Sequence, residues 1–218
     1  MKIALICGSP KVSNSASGCL LSMVKEYLGA ENYSEYQWNS KKSRQDDFYD
    51  ILSSDVIVMA FPLYIDSIPA YLLGHLCDLD DYSKCNSIKS KAKVYVIINN
   101  GFFDARQSSH AMEVMQHWCK HIGLSFGQGL CVGGGGMLPS LTNIPNEKGP
   151  KKNIGEAIRI LAMNIKDRSS ADTKYVLPNI PYFAYKYMAQ RGWRQGVKSN
   201  GLKGKDLGMR RKFQLKKV

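Results

Sequence analysis

Between Gly8 and Ser15 the chain reads Gly-Ser-Pro-Lys-Val-Ser-Asn-Ser. Three hydroxyls (Ser9, Ser13, Ser15), the Asn14 amide and the Lys11 ammonium crowd into this stretch, and no carboxylate interrupts them. Placed where a helix begins, such short donors can wrap an anion. First-turn N–H groups lack intrahelical acceptors, and the helix dipole is positive there. A phosphate monoester held by hydroxyls and amides suits this chemistry. The loop is neither the G-x-G-x-x-G dinucleotide fingerprint nor a Walker loop. An ordinary Ser-rich helix cap is the competing reading of the same residues.

Three further segments stand out. Phe61-Pro62-Leu63-Tyr64-Ile65-Asp66-Ser67-Ile68-Pro69 is more apolar than a solvated turn and reads as a wall for a flat ring, or, at Leu63 and Ile65, as packing under the following helix. In Asn99-Asn100-Gly101-Phe102-Phe103-Asp104, Asn99 can reach ring carbonyls, Gly101 permits close backbone approach, and Phe102 or Phe103 can stack. Asp104 reads as a surface or cap residue. Gly133–Gly136 is an unbroken glycine run, costly in conformational entropy. Either a ligand lies against bare backbone there, chiefly at Gly133 and Gly134, or the run is a hinge. His117 and His121 share a spacing that metals use, but with no third ligand in view they read as a solvated helix face. His110 shares that polar side of the helix; a secondary reading, since the helix begins just after the Asn99–Arg106 loop, is that it approaches a ring bound there.

These segments need a frame that gathers them. Apolar runs at Lys2–Cys7, Tyr33–Trp38, Asp55–Phe61, Lys93–Asn99 and Leu124–Val132 read as strands. Helical periodicity marks Ala16–Leu28, Gln45–Ser53, Gln107–Ile122 and Asn153–Ile165. Ser67 is a candidate N-cap, with Pro69 in the first turn of a further helix reaching about Cys77. Five strands alternating with five helices specify an α/β doubly wound parallel sheet. Ligands in that architecture sit beyond the carboxyl ends of the strands, where all four unusual segments fall. The connection around Asn39–Arg44 is bland.

The 218 residues divide into a domain over 1–170 and a basic, aromatic, partly helical extension over 171–218. Residues 174–218 hold twelve Lys or Arg and one acid, Asp206, so they carry +11 of the chain's net +12. The main domain is close to neutral. The extension mixes Tyr182, Phe183, Tyr185, Tyr187 and Trp193 with its cations. It reads as a helix packed by its aromatics followed by a solvated end, in preference to a membrane-surface contact; no groove-reading motif points to nucleic acid. Six scattered cysteines without a C-x-x-C pair fit buried reduced thiols and argue against an iron–sulfur or zinc site. No apolar run is long enough to span a bilayer or form a signal-peptide core, so a cytoplasmic location is expected.

Taken together the loops resemble those of the flavodoxin-like NAD(P)H-dependent FMN reductases. Gly8-Ser9-Pro10-Lys11-x-x-Asn14-Ser15 resembles that family's phosphate loop, and Pro62–Pro69 its isoalloxazine loop. Asn99–Phe102 and Gly133–Gly136 match its remaining flavin-side segments in type and order over about residues 1–165. The resemblance implies five strands in the order 2-1-3-4-5 and non-covalent FMN. It places the phosphate on Ser9, Lys11, Ser13, Asn14, Ser15 and the Ala16 amide. It places the ring among Pro62, Leu63, Tyr64, Ile65, Asn99, Asn100, Gly101, Phe102, Gly133 and Gly134. No side chain is required as a catalytic acid or base, because the flavin N5 carries the chemistry. NAD(P)H is the implied co-substrate, and the implied partners are a small-molecule electron acceptor and a second copy of the chain. Many relatives carry a cysteine-rich insert before the third strand; residues 39–54 contain no cysteine, so no cluster is inferred. A flavodoxin-type electron carrier and a non-redox flavin-binding protein are the alternatives. Such carriers are usually acidic, unlike this near-neutral domain.

Overall fold

The computed structural model describes residues 1–39 and 45–209. Most of the bland 39–44 connection, and Arg210, Arg211 and Lys212 of the extension, lie outside the described residues. Two compact units are present, Met1–Asn179 and a second beginning at Ile180.

The first unit is built on a parallel sheet. β1 (Lys2–Cys7), β3 (Val56–Pro62) and β4 (Lys93–Asn99) are almost wholly buried, because both faces are covered. β2 (Asn32–Gln37) flanks β1, and β5 (Ser125–Val132) flanks β4. A sixth strand, β6 (Lys174–Val176), pairs with β5 in the register Leu130↔Lys174 to Val132↔Val176. The order is β2-β1-β3-β4-β5-β6. The expected five-stranded sheet is thus corrected to six, with the addition at the edge. Residues 174–176, assigned from sequence to the extension, belong to the sheet, and the division between units falls after Asn179.

Helices cover both faces. α1 (Ala16–Leu28) and α5 (Lys152–Lys166) pack on one, where Leu20, Val24, Ile154, Ile158, Leu161 and Ile165 meet Leu5, Val58 and Ile97. α2 (Phe48–Leu52), α3 (Ala70–Cys85) and α4 (Ser109–Ile122) pack on the other. α3 is longer than expected. Its buried face, Leu72, His75, Leu76, Leu79, Asp80 and Ser83, continues past Cys77 through polar residues that broke the apolar pattern. Nor does Ser67 cap it: Pro69 precedes the first turn, and Ser67 closes a turn with Tyr64. Along α4, Met112 and Cys119 are buried and Val114 is exposed. Cys7, Cys119 and Cys131 are buried, whereas Cys77 and Cys85 are exposed. Burial pushes the Cys119 and Cys131 thiols up to about 12 and leaves them chemically quiet.

In the second unit, α6 (Tyr182–Ser199) buries none of its residues. Tyr182, Phe183, Tyr187 and Trp193 are among its exposed residues. Among the described residues no helix is long and apolar enough to cross a membrane.

Candidate functional site

Parallel β1, β3, β4 and β5 all deliver their following segments to one edge of the sheet. The first segment is anchored at its start. Gly8 N–H donates to Ala60 O at 2.8 Å, and the Tyr71 hydroxyl donates to Gly8 O at 2.6 Å. Lys11 N–H then turns onto Ser9 Oγ at 3.3 Å, and Asn14 takes a left-handed conformation (φ 52°) that its short amide tolerates. Ser15 is the N-cap of α1, its Oγ accepting from Gly18 N–H at 3.0 Å. The helix-cap reading of the loop is thus seen at Ser15. Buried Ser9 and Ser15 accept bonds that shape the loop, while Lys11, Ser13 and Asn14 face solvent. The N–H groups of Ala16 and Ser17, at the start of α1, have no intrahelical acceptor.

After β3, Leu63 N–H donates to Asn99 O at 2.8 Å, tying the second segment to the third. Tyr64 and Ser67 exchange two backbone hydrogen bonds of 3.0 Å each, leaving Ile65 (φ 48°) and Asp66 (φ 55°) at the tip. The alternatives left open by sequence separate here. Leu63 packs against the core, and Ile65 is 99% exposed. A β-branched side chain held left-handed and fully in solvent is strained and buries nothing in return.

After β4, both asparagines are buried and their amides serve the protein. Asn99 Oδ1 accepts from Ser17 Oγ at 2.8 Å, locking the β4 end to the start of α1. Asn100 Oδ1 accepts from Phe102 N–H, and its Nδ2 donates to Ser108 Oγ, both at 3.0 Å. Asn99 and Asn100 thus build the site's backbone. Phe102, 55% exposed, and Tyr64, 46% exposed, present the aromatic surface. Asp104 Oδ1 caps the following turn through Arg106 N–H at 2.9 Å.

The glycine run is explained by this neighbour. A Cβ on Gly133 would collide with Phe103 O and lie 3.0 Å from Phe103 C; one on Gly135 would lie 2.8 Å from Asn99 Cβ. Gly133, Gly134 and Gly135 donate their N–H groups to Val176 O (2.9 Å), Phe102 O (2.6 Å) and Asn100 O (2.8 Å). What lies against the bare backbone of Gly133 and Gly134 is the segment after β4, and their N–H groups are already engaged.

A cavity of about 480 Å³ opens between the first loop, α1 and the β5–α5 connection. Ser13, Asn14, Ser15 and Cys19 line it from one side and Asn146 and Lys151 from the other. None of Pro62–Ile65 or Asn99–Phe102 lines it, so it covers only the anion end of the sequence-derived site. Lys151 was missed from sequence, where it is one of several lysines between 148 and 152. Burial raises the Cys19 thiol, and the Lys151 charge pulls it partly back. The histidines lie elsewhere. Exposed His110 faces Glu113 (Nδ1–Oε2 3.5 Å), and His121 Nε2 lies 3.1 Å from Asp80 Oδ2.

No protein-family model and no curated protein matches the chain. Solved structures do match. An NADPH-quinone reductase from P. pentosaceus superposes over 76% of this chain and 97% of its own at 14% identity, with a TM-score of 0.53. A flavodoxin of Streptococcus pneumonia TIGR4 covers 77% of this chain and 99% of its own (12% identity, TM-score 0.54). A short-chain flavodoxin associated with a PDU bacterial microcompartment covers 78% and 100% (13% identity, TM-score 0.52). Likeness at these identities carries the architecture alone: the chain has the flavodoxin-like α/β fold.

Proposed function

We propose that the chain is a flavin-dependent oxidoreductase that holds FMN without a covalent bond, takes hydride from NAD(P)H and delivers it to a small acceptor such as a quinone, a nitro or azo compound, or free flavin. One observation carries the reading. A carboxylate-free loop of Ser, Asn and Lys at a helix N-terminus shares a sheet edge with exposed Tyr64, Ile65 and Phe102. The donor set fits a phosphate, and the aromatic rim fits a planar ring. That the similar folds include an NADPH-quinone reductase and flavodoxins agrees with it.

In this reading Lys11, Ser13, Asn14 and the Ala16 N–H hold the phosphate, and Ser9 and Ser15 keep the loop in shape. Pro62–Ile65 and Gly101–Phe102 flank the ring. When bound, FMN supplies hydride acceptance and release at N5. The protein's task is position and electrostatics. Leu63, Tyr64, Asn100 and Phe102 already spend their N–H groups within the protein. Among the described residues the Ile65 and Asp66 amides at the strained tip make no hydrogen bond, so they are the donors this loop offers to negative charge developing on a ring. The exposed apolar rim also supports pairing of two copies beside the ring.

Steady-state NADPH oxidation by FMN-loaded protein with a quinone acceptor tests the reading. Turnover that depends on bound FMN is expected. Tight FMN binding without turnover would leave an electron carrier or a flavin-binding protein instead.

A further inference from the structure

Lys151 is 7% exposed, and it is the one buried Lys or Arg among the described residues. Its Nζ donates to Ile144 O at 2.8 Å, which uses one of three ammonium hydrogens. No carboxylate lies within ion-pair distance of it among the described residues. The nearby acids are committed elsewhere: Glu35 to Lys25 (2.8 Å), Glu26 to Asn146 Nδ2 (2.6 Å), and Glu147 to Arg159 (3.1 Å) and the Tyr27 hydroxyl (2.8 Å). Burying an ammonium without an anion is costly, and folded proteins rarely do so to no purpose.

The position of this charge supplies the purpose. Lys151 lines the same cavity as Ser13, Asn14 and Ser15. Its field reaches Cys19, one turn along α1 from the N-cap Ser15. At its loop end the cavity therefore has hydroxyl and amide donors at a helix N-terminus together with a desolvated ammonium; Glu26 and Glu35 also line it, farther along α1 and on β2. Lys11, the cation visible in the loop sequence, is exposed and screened by solvent.

We propose that Lys151, rather than Lys11, is the principal counter-charge for the phosphate of the bound flavin, so that the site discriminates a phosphorylated flavin from one lacking phosphate. This rests on the FMN reading of the site and adds a specificity-determining residue to it. A lysine that only staples the β5–α5 connection through Ile144 O would support both flavins alike. A lysine that meets the phosphate supports one.

The test measures FMN and riboflavin affinities, by quenching of flavin fluorescence, for the wild type, Lys151→Met, Lys151→Gln and Lys11→Met. Loss of a charged hydrogen-bond partner is expected to weaken FMN about ten- to a hundred-fold in both Lys151 variants. Riboflavin affinity should stay within about two-fold, and Lys11→Met should cost FMN only a few-fold. Unchanged FMN affinity, or equal losses for both flavins, overturns the role of Lys151 and leaves the flavin site standing. A folded wild type that binds neither flavin overturns the site itself. Should the Lys151 variants not fold, the salt dependence of the wild-type protein decides the matter. A buried counter-charge is screened little, so the preference for FMN over riboflavin is expected to change by less than about three-fold between low and high salt; a preference that disappears at high salt refutes the proposal.

Discussion

Substituting the glycine run with alanine, one position at a time, separates a packing constraint from a hinge. At Gly133 the new Cβ runs into the Phe103 carbonyl and lies 3.1 Å from Ala105 N, and both are backbone. Neither can be relieved by a side-chain rotation, so the segment after β4 must move as a piece. Overpacking of this kind costs about 1–3 kcal/mol. The shift also strains the bonds from Gly133 N–H to Val176 O and from Gly134 N–H to Phe102 O, each worth about 1 kcal/mol net. Gly133→Ala is therefore expected to cost about 3–4 kcal/mol, a large share of the ~5–15 kcal/mol that holds a domain together. Gly134 has φ 65°, so Gly134→Ala should cost about 1–2 kcal/mol through backbone strain. Nothing lies within 4 Å of a Cβ on Gly136, and Gly136→Ala should change stability by no more than about 0.5 kcal/mol. Urea unfolding followed by far-ultraviolet circular dichroism gives all three values. Equal small effects at Gly133 and Gly136 would mean that the run is a hinge and that the packing argument is wrong.

Three other outcomes follow from the same structure. Ile65→Asn should stabilise the protein by about 1 kcal/mol, since it relieves a left-handed β-branched residue that buries nothing; a loss in urea unfolding would refute the strain. Asp50 accepts from Lys2 Nζ and the Tyr36 hydroxyl, and these bonds hold its carboxyl below the usual carboxylate range. Its folded pKa is depressed, so its contribution is complete above the unfolded value of about 4 and disappears as pH falls through the folded value. Asp50→Asn should thus lower stability at pH 7, by less than about 1 kcal/mol given its exposure, and flatten the acid limb of the stability curve; an unchanged acid limb would contradict this. A chain ending at Asn179 should fold and keep its flavin affinity. One ending at Thr173 loses the β5–β6 pairing and the acceptor of Gly133 N–H, and should melt lower; equal melting temperatures would show that β6 is dispensable.

The central strands were legible because Val56–Phe61 and Val94–Ile98 are continuous apolar runs, which only a doubly covered sheet can bury. The loop before α1 stands out in the sequence because short donors without an acid are chemically distinctive. β6 was not. Three residues, Lys174–Val176, with two exposed, have no periodicity to read. Lys151 is indistinguishable by type from Lys148 and Lys152. Its burial comes from Ile144 O and the wall of α1, contacts that the chain makes only once folded. The glycine run was visible, but its partner was not, because Asn100–Phe103 lies about thirty residues upstream and meets it only across β4 and β5. Asn99 and Asn100 were correctly placed at the rim, yet type alone could not reveal that their amides face inward.

In the proposed function the donors at the start of α1 grip the phosphate of a planar flavin. The most direct measurement is a calorimetric titration of the folded wild-type protein with FMN and, separately, with riboflavin. One FMN per chain, bound at least about ten-fold more tightly than riboflavin, is the predicted result. A folded protein with no affinity for FMN, or with equal affinity for the two flavins, would contradict it.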